Sequence, residues 1–293
     1  MPVIVPRSKP RVWNVDPGLV APEWRGLWHG LVDAVPLWEQ GGDGFNYPRD
    51  RIATSGGVVL NGTTWVHDSL GGPALQCTST GSLHPQVKNT DGRADLPYLS
   101  SYSFSVALLF RVTGVTNDDG FVTRNTTATG DLSAWGISRP TGSFKVFFGD
   151  TAVLDILGLG DELTDGDVHS FVVMFDDAAE ELRVVADGSL RSLTTGVTDN
   201  PVNSTNGQVR LLSARLDGFT MDGFVYEYCF WHRSLATAEA RQWTADPFGM
   251  FRLAPLRALK AAAGGITEGE IGAALQQPVF APPPVIGIAA RNG

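Results

Sequence analysis

Two segments constrain the fold of this chain more than any others: residues 168–190 and residues 222–252. The first, VHSFVVMFDDAAEELRVVADGSL, is a pair of apolar runs around an acidic turn, and the second run ends in Asp187-Gly188. Short runs rich in β-branched and aromatic residues read as adjoining strands, and Asp-Gly is a turn dipeptide. The second segment, DGFVYEYCFWHRSLATAEARQWTADPFGMFR, reads as a strand, a His-Arg-Ser-Leu elbow, a short helix and an Asp-Pro stop. That helix is expected from about Ala236 to Trp243, capped by Ser234 or Thr237 and ended by Asp246-Pro247. Its Leu235, Ala238 and Trp243 are expected to pack against a sheet edge.

The rest of the chain carries the same strand signal. In SYSFSVALLFRVTGV the apolar positions Tyr102, Phe104, Val106, Leu108, Phe110 and Val112 alternate, which is the period of a half-buried strand. AWGISRP and SFKVFFGDTAVLDIL predict a hairpin turning at Pro140-Thr141-Gly142, and GQVRLLSARLDGFTMDGFVYEYCFW supplies the last two strands. Regularly spaced short strands with turn signals between them, and no βαβ alternation, point to an all-β sandwich. Residues 22–37 read two ways. Trp24, Leu27, Trp28 and Leu31 recur at helical spacing, which permits a short helix ended before Pro36.

Several motifs, taken in order, resemble the laminin-G-like branch of the concanavalin A-like lectin/glucanase superfamily. GLVDAVPLWEQGGDG, with Trp38 and Glu39, is similar to the family's opening strand and favours strand for Leu31–Trp38. Trp65, Gly72, Ala74 and Leu75 occupy the places of its next hairpin, the 102–112 run its first long strand, and His169 its Trp-His position. The resemblance covers about residues 30–252 and implies a two-sheet antiparallel jelly-roll sandwich with one short C-terminal helix. The expected organisation is an extended N-terminal arm over 1–21, the sandwich over 22–252, and a short helix with a Pro/Gly-rich tail over 253–293. The ADPFGMFR close is similar to the wording of virion proteins of tailed bacteriophages, which places the chain, as an expectation, in a virion assembled in the host cytoplasm.

Both arms carry apolar groups that are unfavourable to leave in water: Val3, Ile4 and Val5 at one end, Val279, Phe280, Val285, Ile286 and Ile288 at the other. They are expected to dock on neighbouring virion subunits, in a homo-oligomer. No apolar stretch reaches the roughly 18 residues that suggest a membrane span, so no membrane insertion is expected. A net charge of −9 supplies no field toward a phosphate backbone and argues against nucleic-acid binding. Cys77 and Cys229, far apart in strand-like runs, read as buried free thiols.

A glucanase of this superfamily needs paired carboxylates flanking the sugar, about 5–5.5 Å apart in a retaining enzyme. On a sandwich strand these are written E-x-D-x-E, and no such string occurs. The acidic clusters Asp118-Asp119, Asp161-Glu162, Asp165 with Asp167, Asp176-Asp177 and Glu180-Glu181 read as solvated turns, so no catalytic residues and no enzyme activity are expected. Calcium is considered for DELTDGD and TNDDG but assigned to neither, and no other cofactor is expected. His232 beside Arg233 reads as a hydrogen-bonding element of the elbow. Among the eight tryptophans, Trp135 in the polar context TGDLSAWGISR is the candidate for an exposed sugar platform, with Asp118 and Asp161 on neighbouring loops. The leading expectation is a non-enzymatic virion structural protein, a capsid decoration or appendage subunit with a lectin-like outward face. The alternative is an adhesin that recognises a host surface polysaccharide.

Overall fold

The computed structural model describes residues 20–36, 58–59, 63–70, 72–79, 85–87, 101–115, 119–125, 133–201, 209–213 and 220–252. Period-two alternation along the strands sends one set of apolar side chains inward, and two antiparallel sheets close over it. In chain order the strands are β1 (Leu31–Pro36), β2 (Val58–Val59), β3 (Thr64–Asp68), β4 (Gly72–Cys77), β5 (Gln86–Val87), β6 (Phe104–Gly114), β7 (Asp119–Asn125) and β8 (Ser133–Arg139). They continue as β9 (Phe144–Phe148), β10 (Thr151–Ile156), β11 (Val168–Asp176), β12 (Glu181–Ala186), β13 (Ser189–Thr195), β14 (Val209–Leu211) and β15 (Asp222–Trp231). The larger sheet runs β13-β12-β11-β6-β15-β4-β3, and β1 shares one side of β15 with β4; the smaller runs β10-β9-β8-β7-β14-β5-β2. The architecture is the all-β sandwich that the strand pattern predicts.

Aromatic rings fill the space between the sheets. Phe104 stacks on Trp135 at 5.4 Å and on Phe230 at 5.8 Å, while Phe110, Phe121, Phe144 and Phe171 form a second nest with centroids 5.2–5.7 Å apart. Such pairs add about 0.5–1.5 kcal/mol each beyond the area they bury.

The other face of the larger sheet is buried too, over part of its length. On β6 and β11 the alternate residues Ala107, Leu109, Val172 and Met174 are fully buried although they point away from the sandwich interior. A cap packs on this side of β11 and its neighbours: helix α2 (Thr237–Ala245), joined to 3-10 turns over Pro22–Trp28 and Pro247–Phe251. Both expected behaviours of residues 22–37 therefore occur in succession: one helical stretch, then strand β1. The strand is described to Pro36, and Leu37 and Trp38 lie outside the described residues.

Helix α2 starts and ends near its expected bounds and packs at the β13 end of the larger sheet. It packs across β11, β12 and the edge strand β13. Neither Ser234 nor Thr237 caps it. The N-cap is Ala236, whose N–H donates to Glu239 Oε2 at 2.8 Å, and Ser234 Oγ instead accepts from Arg183 Nη2 at 2.8 Å. Arg233 ties the cap together: it grips both Glu239 oxygens at 2.7 and 2.8 Å and donates to the carbonyls of His29 and Gly26. The indole N–H of Trp231 donates to Leu27 O at 2.6 Å and that of Trp28 to Met250 O at 2.7 Å, so N-terminal and C-terminal segments hold each other. Ala21 N also donates to Arg252 O at 3.0 Å.

Cys77 and Cys229 are buried free thiols, as expected, and burial pushes both thiol pKa values up, most strongly followed by the nearby carboxylates of Asp222 and Glu227 respectively. A thiol that is both inaccessible and protonated does not attack a disulfide reagent. Ellman titration of the native protein is expected to give no signal from either residue and full signal in denaturant; fast native reaction of Cys229 would contradict its burial.

Candidate binding surface

The residues expected to grip a sugar do not come together. Trp135 is 1% exposed, packed against Phe104 and Phe230, and offers no face to solvent. This corrects the reading of Trp135 as a platform. Its polar flanks mislead because they lie toward the ends of β8, while Ala134, Gly136 and Ile137 beside Trp135 are buried with it. Asp161 is exposed at the end of the one-turn helix α1 (Leu159–Glu162) and pairs with Arg139. Asp118 and the arm residues Val3, Ile4, Val5, Val279, Phe280, Val285, Ile286 and Ile288 lie outside the described residues.

The DELTDGD loop is occupied by ties within the protein. Glu162 pairs with Arg191, and Asp165 accepts from the Asp167 N–H and from His169. Among the described residues, no group of three His, Cys, Asp or Glu converges to hold a metal ion.

His169 sits between two carboxylates, with Nδ1 2.7 Å from Asp187 Oδ2 and Nε2 2.8 Å from Asp165 Oδ1. Both ring nitrogens must donate, so the ring is an imidazolium. Burial alone would lower its pKa, but the hydrogen bonds and charges of Asp187 and Asp165 outweigh burial and hold it above the ordinary 6.5. Asp165 is held below its ordinary 3.8: burial opposes this, and the bond to His169 prevails. Asp187 also accepts from Ser170 N at 2.9 Å, and Ser170 Oγ donates to Thr244 O at 3.2 Å, which links the clamp to α2.

A raised histidine pKa stabilises the fold fully below its unfolded value near 6.5, and that stabilisation is lost as pH rises through the folded pKa. The lowered Asp165 contributes above its unfolded value near 3.8 and loses that contribution as pH falls. The clamp is therefore strongest between those two values. His169→Gln is expected to cost about 1.5–3 kcal/mol near pH 5, the worth of a charge-assisted bond to the mostly buried Asp187. The gap in urea midpoint between wild type and variant should shrink steadily in alkaline buffer, and a gap that grows with pH would rule the clamp out.

His232 behaves oppositely. Burial first, then the nearby charge of Arg124, push its pKa down to about 3, so it packs as a neutral ring edge-on to Phe230 at 5.5 Å.

Outside the cap, the larger sheet presents a row of side chains that sequence reading did not single out. Direct cross-strand partners share a face, and Arg111 on β6 pairs with Phe224 on β15, Phe224 with Gln76 on β4, and Gln76 with Thr64 on β3. Their neighbours Phe110, Val225 and Leu75 are core residues, so the row points outward. Thr64 is exposed, and Phe224, Gln76 and Arg111 are half-buried.

Arg111 is fixed in place: Nε donates to Gly166 O at 2.6 Å, Nη1 to Asp68 Oδ1 at 2.5 Å, and the guanidinium lies 5.6 Å from the Phe224 ring centroid. Asp68, itself 5% exposed, accepts in addition from Tyr226 OH at 2.6 Å and Leu70 N at 3.1 Å. A bulge between Val225 and Glu227 inserts Tyr226 on this outer face, where its hydroxyl reaches Asp68. Burial and the bond to Asp68 raise the Tyr226 pKa, so its proton stays in that bond. Among the described residues, Arg111 Nη2, the Gln76 amide and the Thr64 hydroxyl make no hydrogen bond.

No family model matches the chain, and no curated protein matches it. Solved structures do. The binding domain of Paraclostridial Mosquitocidal Protein 1 aligns with TM-score 0.56 and 11% identity over 74% of this chain and 52% of its own. Trypanosoma rangeli sialidase aligns with TM-score 0.51 and 13% identity over 74% of this chain and 33% of its own. Domain 4 of AbnA, a GH43 extracellular arabinanase from Geobacillus stearothermophilus solved in complex with arabinotriose, aligns with TM-score 0.51 and 12% identity over 73% of this chain and 98% of its own. The chain thus spans about half of the first and a third of the second. At these identities the likeness is one of fold.

Proposed function

We propose that the chain is a non-enzymatic recognition subunit that binds glycan on the outside of its sandwich, within a bacteriophage virion to which its terminal arms attach it. The observation that carries the reading is the filled interior. Stacked rings occupy the space between the sheets, so a ligand meets the domain on its outer faces and loops. The carboxylates of the acidic loop serve ion pairs within the fold instead of facing each other across a cleft. The structural likeness to domain 4 of AbnA, solved with arabinotriose, supports glycan as the ligand class. The virion setting rests on the ADPFGMFR resemblance and on the apolar arms, whose burial against a neighbour contributes about 25 cal/mol per Å².

Two measurements test the reading. The purified chain is expected to bind on a glycan array without turning any glycan over, and product release from the bound glycan would overturn the non-enzymatic part. Deleting residues 265–293 is expected to leave the unfolding midpoint of the sandwich unchanged and to abolish incorporation into particles. Full incorporation of the deleted chain would sink the attachment role.

A further inference from the structure

We infer that the row Arg111–Phe224–Gln76–Thr64 is the glycan site, and that it takes a neutral oligosaccharide laid across the strands; this rests on the recognition reading above. Three of the four positions lie inside the sheet, where β6, β15 and β4 each have ladder partners on both sides, and Thr64 stands on the end strand β3. A peptide adding itself as a strand would pair along β3 and leave Arg111, Phe224 and Gln76 unread. Recognition must come from side chains, and the set present suits a sugar. An aromatic ring meets the C–H face of a sugar, while a guanidinium N–H donates to hydroxyl oxygens. The amide of Gln76 both donates and accepts, as does the Thr64 hydroxyl.

The site is also preorganised. Arg111 is held by Gly166 and Asp68 before any ligand arrives, so little side-chain freedom is lost on binding. Four strands spaced roughly 4.8 Å apart make a track about 14 Å long, which suits a short oligomer better than a single sugar.

Charge decides between neutral and acidic glycans. Asp68, at 2.5 Å, offsets the Arg111 charge. The next outward position on β15 is Asp222, whose Oδ1 already accepts from Ser79 N at 2.6 Å. A sialylated or uronate chain would meet that carboxylate and a protein of net charge −9. A neutral chain meets neither penalty.

The test is a microarray of neutral and sialylated oligosaccharides probed with the full chain, followed by calorimetric titration of the neutral oligosaccharides that bind. Gln76→Ala and Phe224→Ala are each expected to weaken binding about ten-fold, the loss of roughly one good contact. Gln76→Ala should leave the unfolding midpoint unchanged, which separates lost contact from lost fold if Phe224→Ala is destabilised. Wild type that binds neutral glycans with both variants binding equally well would overturn the row while leaving glycan recognition standing. Binding confined to sialylated glycans would overturn the neutral assignment. A silent array would overturn both the row and the glycan reading.

Discussion

Replacing Phe104 with alanine is expected to destabilise the sandwich by about 3–5 kcal/mol, the range for emptying a buried aromatic site. Phe104 is 1% exposed and touches four rings: Trp135 at 5.4 Å, Phe230 at 5.8 Å, Phe148 at 6.1 Å and Phe175 at 6.2 Å. Those rings come from both sheets, so they cannot collapse into the void without moving the sheets together. The urea midpoint should fall with an unchanged slope, and Phe104→Leu should recover most of the loss. An alanine variant within about 1 kcal/mol of wild type would mean that the stack is not the centre of the core.

Gly223→Ala is expected to do comparable damage by the opposite route. A Cβ at Gly223 would stand 2.3 Å from the Arg111 carbonyl oxygen and 3.1 Å from Val112 Cα. Both obstacles are backbone atoms of β6, the central partner of β15, and neither can swing aside as a side chain would. Overpacking usually costs about 1–3 kcal/mol, and a backbone clash belongs at the upper end or beyond it. Because Arg111 and Phe224 flank the clash, glycan binding should fall together with stability in this variant. Gly188→Ala is the control. Its Cβ meets nothing within 4 Å, and only its φ of +78° opposes a side chain, so about 1–2 kcal/mol is expected from thermal unfolding. A loss at Gly223→Ala no larger than at Gly188→Ala would mean that β6 gives way to the new methyl, since Gly223 has no positive φ to strain.

What the sequence made legible follows the range of each interaction. Strands β6, β11, β12 and β15 and helix α2 are written in local periodicity, and the structure has them within a few residues of their expected bounds. Trp135 is illegible locally because the polar residues of its segment lie toward the ends of β8, and only the opposite sheet, through Phe104 and Phe230, buries its ring. The cap was only half legible. Helix α2 announces itself, but nothing in β11 tells that this helix will pack on its outer face, or that residues 22–28 will meet residues 247–251. The Arg111–Phe224–Gln76–Thr64 row was illegible for the same reason: it exists only through the register of four strands drawn from distant parts of the chain. The clamp on His169 left a fainter trace. Asp165 lies four residues before it, yet Asp187 reaches it only because β11 and β12 fold back on each other.

The hydrogen bond from Ala21 to Arg252 has a consequence for how the sandwich is mounted. The polypeptide thus comes in and goes out of the sandwich through one doorway. A host protein could accept such a sandwich within a surface loop without stretching its own ends apart, and new termini opened at the far side would leave every ladder intact.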